Sequence, residues 1–380
     1  MLSKTPWSAV AAAALVFAVS VASHSAAQGT GNGQKKTPPG RLPGVFTFIP
    51  KTDIDTKMKA IEDGTPGDIP VRVVDAGRYN LGVYALRYEP PAKPAAAGAP
   101  VTGFYHSHIA EIYYIRSGGG FFHVGGSLEN VKENDPTGRA VTSIGGPGAT
   151  GILNGYTKQK LSVGDIMIMP PGVPHSPGEM THGTSIIRMV IDPKKVLPLY
   201  PTNGPPPQQP RIVNPAPKLP GSVTIITKAE IDKMLKEIED VPGPSTDRAV
   251  RTIDLANMNY RLGVYVLRTA QMPKTPEPAG VGWYHTHIAE MYYFLHGTGT
   301  FAIGGLLENP QEDAADAWST RMVRGPSVSG NFKGHTEVKF VPGDMIIAPM
   351  GVPHRPSAIT SVPRDIIRFA IDPDKVLPLK

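Results

Sequence analysis

The chain contains no cysteine. Disulfides, thiolate metal ligands and a cysteine nucleophile are therefore excluded, and stability must come from packing or from metal held by other side chains. Charge is also scarce: 18% of residues are charged, and the net charge is +6. No Lys/Arg run is long enough to argue for nucleic acid, so no nucleic-acid partner is expected. The mild basicity, with a pI near 9.2, permits acidic small molecules or loose association with anionic surfaces. The apolar run near the N-terminus is short for a bilayer span, and no other is long enough to cross one.

Glycine and proline, in contrast, are abundant, at 41 each in 380 residues. That density favours short strands between tight turns over long helices. The N-terminus reads as an export signal over residues 1–27: Lys4, an apolar run from Val10 to Ala22, then small residues at Ser25 and Ala27 before Gln28. A retained anchor is the competing reading. With the signal removed, the mature protein is expected to be secreted or periplasmic, with no membrane association. Residues 28–44 read as a flexible leader and the proline-rich 201–220 as an extended linker. The expected domains are then 45–200 and 221–380.

The chain is a duplication. GFYHSHIAEIYYIRSG at 103–118 returns as GWYHTHIAEMYYFLHG at 282–297, and GDIMIMPPGVPH at 164–175 returns as GDMIIAPMGVPH at 343–354. The offset is constant, 285 − 106 = 354 − 175 = 179. Each half opens with a helical stripe. Ile231, Met234, Leu235 and Ile238 follow a Thr227–Glu230 capping box, and Thr52, Ile54, Met58 and Ile61 form a weaker copy. The rest reads as strands such as LGVYALRYE (81–89) and SIIRMVI (185–191), which predicts an all-β barrel or sandwich in each half.

The chemistry-bearing residues sit in the repeats. His106 and His108 are two apart on a predicted strand, which puts both on one face. Glu111 follows, and His175 comes after a Pro-Gly-Val-Pro turn. His285, His287, Glu290 and His354 repeat the set. Imidazoles with one carboxylate suit a divalent transition metal, whereas a hard, all-oxygen Ca or Mg site does not fit.

These residues resemble the two signature motifs of the cupin superfamily, G-x5-H-x-H-x3–4-E-x6-G and G-x5-P-x-G-x2-H-x3-N. Glu111 to Gly118 and Glu290 to Gly297 keep the E-x6-G part. Gly164, Pro170, Gly172 and His175 fit the second motif, as do Gly343, Pro349, Gly351 and His354. The resemblance covers both halves. It implies two tandem cupin (double-stranded β-helix, jelly-roll) barrels, each with a short N-terminal helix, with the His/His/Glu/His set facing each barrel interior. It implies one divalent metal per domain: Mn, Fe, Cu or Zn. The chain departs from the pattern in three places. Only Ile109 and Ala110 separate His108 from Glu111, so the glutamate is either a ligand or the hydrogen-bond partner of a histidine. Gly103 and Gly282 lie three residues before the first histidine instead of six. Glu179 and Ala358 replace the usual Asn.

Tyr113 and Tyr292 should share a face with the glutamates, as proton donors, bases or barrel-filling aromatics. Arg188 and Arg368 could hold a substrate carboxylate, or form structural ion pairs. The halves differ: His123, Glu179 and His182 face Ala302, Ala358 and Ser361 in the alignment, while His296 and His335 face Ser117 and Tyr156. The leading expectation is a metal-dependent oxidoreductase (dioxygenase, oxidase or decarboxylase type) acting on a small organic substrate, with His123 or Tyr113 handling protons. A metal-assisted lyase or isomerase using Tyr113 or Tyr292 is the second reading, and a non-catalytic ligand- or metal-binding protein the third. Assembly into a homo-oligomer is left open.

Overall fold

The computed structural model describes residues 45–89, 98–201, 223–239, 246–255, 258–272 and 280–380. The expected signal, leader and most of the linker (1–44 and 202–220) lie outside the described residues. The first half begins with β1 (Thr47–Ile49), α1 (Lys51–Glu62), β2 (Ile69–Asp75), β3 (Asn80–Tyr88) and β4 (Thr102–His106). It continues with β5 (Ala110–Ser117), β6 (Gly119–Val124), β7 (Ser127–Glu133) and β8 (Gly148–Asn154). It ends with β9 (Thr157–Ser162), β10 (Ile166–Met169), β11 (His175–Met180) and β12 (Thr184–Asp192). The second half repeats this order as β13 (Thr224–Ile226), α2 (Lys228–Glu239), β14 (Thr246–Leu255), β15 (Tyr260–Thr269) and β16 (Val281–His285). Then come β17 (Ala289–Ile303), β18 (Leu306–Glu312), β19 (Ser327–Lys333), β20 (Thr336–Phe340), β21 (Met345–Ala348) and β22 (His354–Asp372).

In the first half two six-stranded antiparallel sheets form, in the orders β13-β10-β5-β12-β3-β2 and β7-β8-β4-β11-β6-β9. In the second half β17 and β22 run without a break through both layers, so one ten-stranded sheet does the same work. Strand alternation builds the interior. On β5, Tyr113 and Ile115 point into a cluster with Phe122, Val124 and Met167, whereas Ala110, Ile112 and Tyr114 point out into a second core. Both faces are covered, which is why IYYI (112–115) reads as an unbroken apolar run instead of an alternating one.

The outer core is shared between the halves: it joins Ile112, Tyr114 and Ile166 to Met291, Tyr293 and Ile347. Tyr114 and Tyr293, equivalent in the repeat, meet with ring centroids 4.7 Å apart. The opening strands are exchanged across this core. β1 of the first half pairs with β21 of the second, and β13 of the second pairs with β10 of the first. Each helix therefore starts on the other half's sheet and packs back on its own. Asp344 accepts a hydrogen bond from Lys51 N at 2.6 Å, and Asp165 accepts one from Lys228 N at 2.8 Å. The capping box forms as expected, with Glu230 N donating to Thr227 Oγ1 and Thr227 N to Glu230 Oε2. The first helix has no such box: its N-cap is Pro50, and Asp344 replaces the missing side-chain cap.

Candidate metal centres

Three residues converge inside each barrel: His106, Glu111 and His175 in the first, and His285, Glu290 and His354 in the second. Their ligand atoms lie within 4.8 Å of one another. β4 ends on His106, β5 begins next to Glu111, and His175 opens β11, whose first residue pairs with Phe104. The Pro-Gly-Val-Pro turn locks the arrangement: Gly172 N donates to His106 O at 2.7 Å, and Gly351 N to His285 O at 2.9 Å. Both glycines have φ near +80°, a conformation side-chain-bearing residues adopt only with strain. Gly145 is required for another reason. A Cβ there would lie 2.0 Å from His106 Cε1.

His108 and His287 stand outside these groups. The expectation that His106 and His108 share a strand face fails because the strand stops at His106 and the chain bends at Ser107–His108. His287 Nδ1 instead meets Asp374 at 2.8 Å on a half-exposed surface. His108 is half-buried, and burial, then Lys194, lower its pKa. Four residues, Ser107–Ala110, separate His106 from Glu111, as Thr286–Ala289 separate His285 from Glu290. Two residues before these histidines stand Phe104 and Trp283. Phe104 packs on both histidines of the first group, 4.4 Å from His175 and 5.6 Å from His106 between ring centroids.

Tautomers follow from the hydrogen bonds. His175 Nδ1 lies 2.9 Å from Val173 O, and His354 Nδ1 2.8 Å from Val352 O. A carbonyl only accepts, so both Nδ1 atoms carry the proton. His285 Nδ1 meets Ser327 Oγ at 2.8 Å, and that hydroxyl donates to Gly325 O, so Nδ1 is again the donor. Each Nε2 then turns toward the glutamate. His175 Nε2 is 3.3 Å from Glu111 Oε2, and His354 Nε2 is 2.9 Å from Glu290 Oε2. Neither is aligned for a hydrogen bond, and both nitrogens are buried without a partner. Burial, the largest cause, lowers the pKa of His106 and of His285 to about 4. Burial alone would raise the Glu111 pKa, but His106, Arg188 and His175 outweigh it and hold the carboxyl below its usual range; Glu290 is held well below by the equivalent groups. Neutral imidazole lone pairs facing a carboxylate repel unless a cation lies between them, and a transition-metal ion fits that donor set.

The glutamates are held from behind. Arg188 is fully buried; its Nη1 donates to Glu111 Oε1 at 2.8 Å, its Nη2 to Ile144 O at 2.7 Å, and its plane stacks over Tyr84. Asp68 Oδ2 completes the set at 3.2 Å. Arg368 repeats it with Glu290, Val323 O, Tyr265 and Asp247. Both guanidiniums are buried with their Nη atoms held by protein partners, Arg368 Nε alone lacking one, which places neither in position for the substrate carboxylate that the sequence suggested. Asp68 and Asp247 escaped the sequence reading, although DIPVRVVD (68–75) and DRAVRTID (247–254) stand at the same offset, 247 − 68 = 179.

Tyr113 donates its phenol to Glu111 Oε1 at 3.3 Å, and Tyr292 donates to Glu290 Oε2. Burial and then the adjacent carboxylate push both phenols well above their usual pKa, so they are donors and not bases. His123 is placed away from the site. On β6 it neighbours Val124, which pairs with His175, so alternation turns His123 to the other face, where it stacks on Tyr156 at 4.3 Å. Glu179 pairs with Lys158 and His182 with Glu89, both on the exterior.

No protein-family model and no curated protein matches this sequence. Solved structures do. Salicylate 1,2-dioxygenase from Pseudaminobacter salicylatoxidans superposes with a TM-score of 0.50 at 12% identity, covering 88% of this chain and 86% of that one. Oxalate decarboxylase from Lactobacillus farciminis, in a formate complex, gives 0.37 at 12% identity, over 81% and 82% of the two chains. A Bacillus subtilis oxalate decarboxylase deletion mutant gives 0.37 at 14% identity, over 88% and 78%. At such identities the likeness is one of fold.

Proposed function

We propose that this chain, which has the two-domain cupin fold, binds one divalent transition metal in each barrel through two histidines and one glutamate, and uses the first site to oxidise a small organic substrate. The observation behind this reading is one orphaned, buried Nε2 in each half, on His175 and His354, aimed at an ionised glutamate. Two histidines and one carboxylate, with positions left open, make the donor set of non-haem iron oxygenases. A bound metal would supply a Lewis acid and, if redox-active, an electron-transfer centre beside the substrate.

The protein residues have definite parts in this reading. The Val173 and Val352 carbonyls fix the tautomer that leaves each Nε2 free. Arg188 and Arg368 keep the glutamates ionised and oriented. Phe104, half-buried against both histidines, is the aromatic ring beside the first site. Tyr113 is placed to give, not take, a hydrogen bond. The first site is favoured for turnover because the His106 side chain is 11% exposed and that of His285 only 1%.

The test is metal content followed by oxygen uptake. Protein loaded with Fe(II) should consume O₂ with a hydroxylated aromatic acid or a small dicarboxylate, and His175→Ala should abolish this while His354→Ala retains much of it. Two equivalents of bound metal with substrate turnover under argon would replace oxidation with the lyase or isomerase reading. Saturable ligand binding with no product would leave a binding protein, and failure to bind any transition metal would end the reading altogether.

A further inference from the structure

Each ligand glutamate divides its two oxygens. In the first barrel Oε1 is taken by Arg188 at 2.8 Å and Tyr113 at 3.3 Å, with His106 Nε2 3.6 Å away, while Oε2 faces His175 at 3.3 Å and accepts no hydrogen bond from either group. In the second, Oε1 is taken by Arg368, and Oε2 accepts from Tyr292 and faces His285 at 3.3 Å and His354 at 2.9 Å, so the arginine, and not the tyrosine, is the constant occupant of Oε1. Each arginine is itself fixed by an aspartate, a backbone carbonyl and a tyrosine ring, in both halves and with equivalent residues. Asp68 holds its place with φ at +67°, an uncommon conformation for a residue with a side chain.

We propose that Asp68–Arg188 and Asp247–Arg368 are carboxylate clamps that reserve one oxygen of Glu111 and Glu290, so that each metal receives a single glutamate oxygen and keeps its remaining positions open. This rests on the metal-binding reading above. The arginines are positioning residues: they touch the ligand and not the substrate. A bidentate glutamate would close one of the positions that substrate and O₂ need, and the guanidinium prevents this by occupying Oε1 with a charge-assisted bond. The aspartate matters through charge. Without it, the ligand glutamate alone would balance the arginine, leaving less negative charge for a divalent cation, and metal binding would weaken.

The test uses Co²⁺ on the full metal-free chain, read by its visible absorption, whose intensity falls as coordination number rises. Arg188→Met combined with Asp68→Asn removes one charge of each sign and leaves Oε1 with only the longer Tyr113 bond at 3.3 Å. The expected result is a weaker Co²⁺ band with binding at least as tight as in the parent. Asp68→Asn alone keeps the clamp, so the band should be unchanged while affinity falls about tenfold. The second-half pair, Arg368→Met with Asp247→Asn, provides an independent copy should the first fold poorly. An unaltered band in a folded double variant overturns the clamp while leaving the metal reading intact. A parent chain that binds no Co²⁺, Mn²⁺ or Fe²⁺ overturns the metal reading and the clamp with it.

Discussion

Single side chains decide whether this site holds a cation. The approach of Gly145 to His106 leaves no room for a methyl group. Gly145→Ala should therefore turn the His106 ring and lower metal affinity at the first site at least tenfold, leaving the second unchanged; isothermal titration with Mn²⁺ would resolve the two. Proton linkage gives a second expectation for the metal-free chain. His106 and His285 have pKa values near 4 when folded, below the ordinary 6.5. Their folded state resists protonation, so stability is intact above about pH 6.5 and is lost as the pH falls toward 4, by up to roughly 3 kcal/mol each. Asp68 and Asp247 oppose this. Burial raises both to about 6 from 3.8, so their unfavourable contribution at neutral pH is relieved as the pH drops through 6 toward 4. Asp68→Asn with Asp247→Asn should remove the opposition and make the acid loss between pH 6.5 and 4 steeper, as read from urea midpoints across that range. A shallower pH dependence would show that the histidines do not control it.

At the scale of elements, the exchanged strands make each helix start depend on the other half. Asp165 bonds Ser162 N through one oxygen and Lys228 N through the other, and Asp344 does the same for Val341 N and Lys51 N. Asp344→Ala should cost about 1–2 kcal/mol, more than Asp165→Ala, because the second helix retains its Thr227–Glu230 box and the first has no side-chain cap of its own. Paired melting curves would show the order. These elements also mark what the sequence made legible. Strands, helices and duplication were readable because β-rich runs, the capping box and the constant 179-residue offset are local or periodic signals. The glutamates and His175 were readable for the same reason. The extra alternation assumed for His108 was not, because a strand end is set by the bend that follows it, and nothing in period-two patterning announces where that alternation stops. Asp68 and the strand exchange were hidden for a different reason: both are long-range pairings, Asp68 with Arg188 and Thr47 with Ile347, whose partners are distant in sequence.

At the scale of the molecule, a core that runs from Ile49 through Tyr114 and Tyr293 to Ile371 leaves no apolar face with which either half could stand alone. Residues 45–200 lack the β21 partner of β1 and the β13 partner of β10, and residues 221–380 lack the reciprocal pair. Cutting the chain in the linker would expose β10 and β21 as sheet edges with buried isoleucines behind them, an arrangement prone to association. The intact chain should therefore unfold in one cooperative transition, with calorimetric and van't Hoff enthalpies in agreement. Metal should not divide it. Filling either centre stabilises the same cooperative unit, so the midpoint moves up by mass action without splitting the peak. The two centres should still differ in rate: the first, whose histidine reaches the surface, should release metal to a chelator before the second, where His285 and His354 are both sealed. Two resolved unfolding transitions, each assigned to one half by its own His→Ala variant, would show that the shared core does not couple the barrels. The sealed second centre would then have to be explained as a feature of that barrel alone.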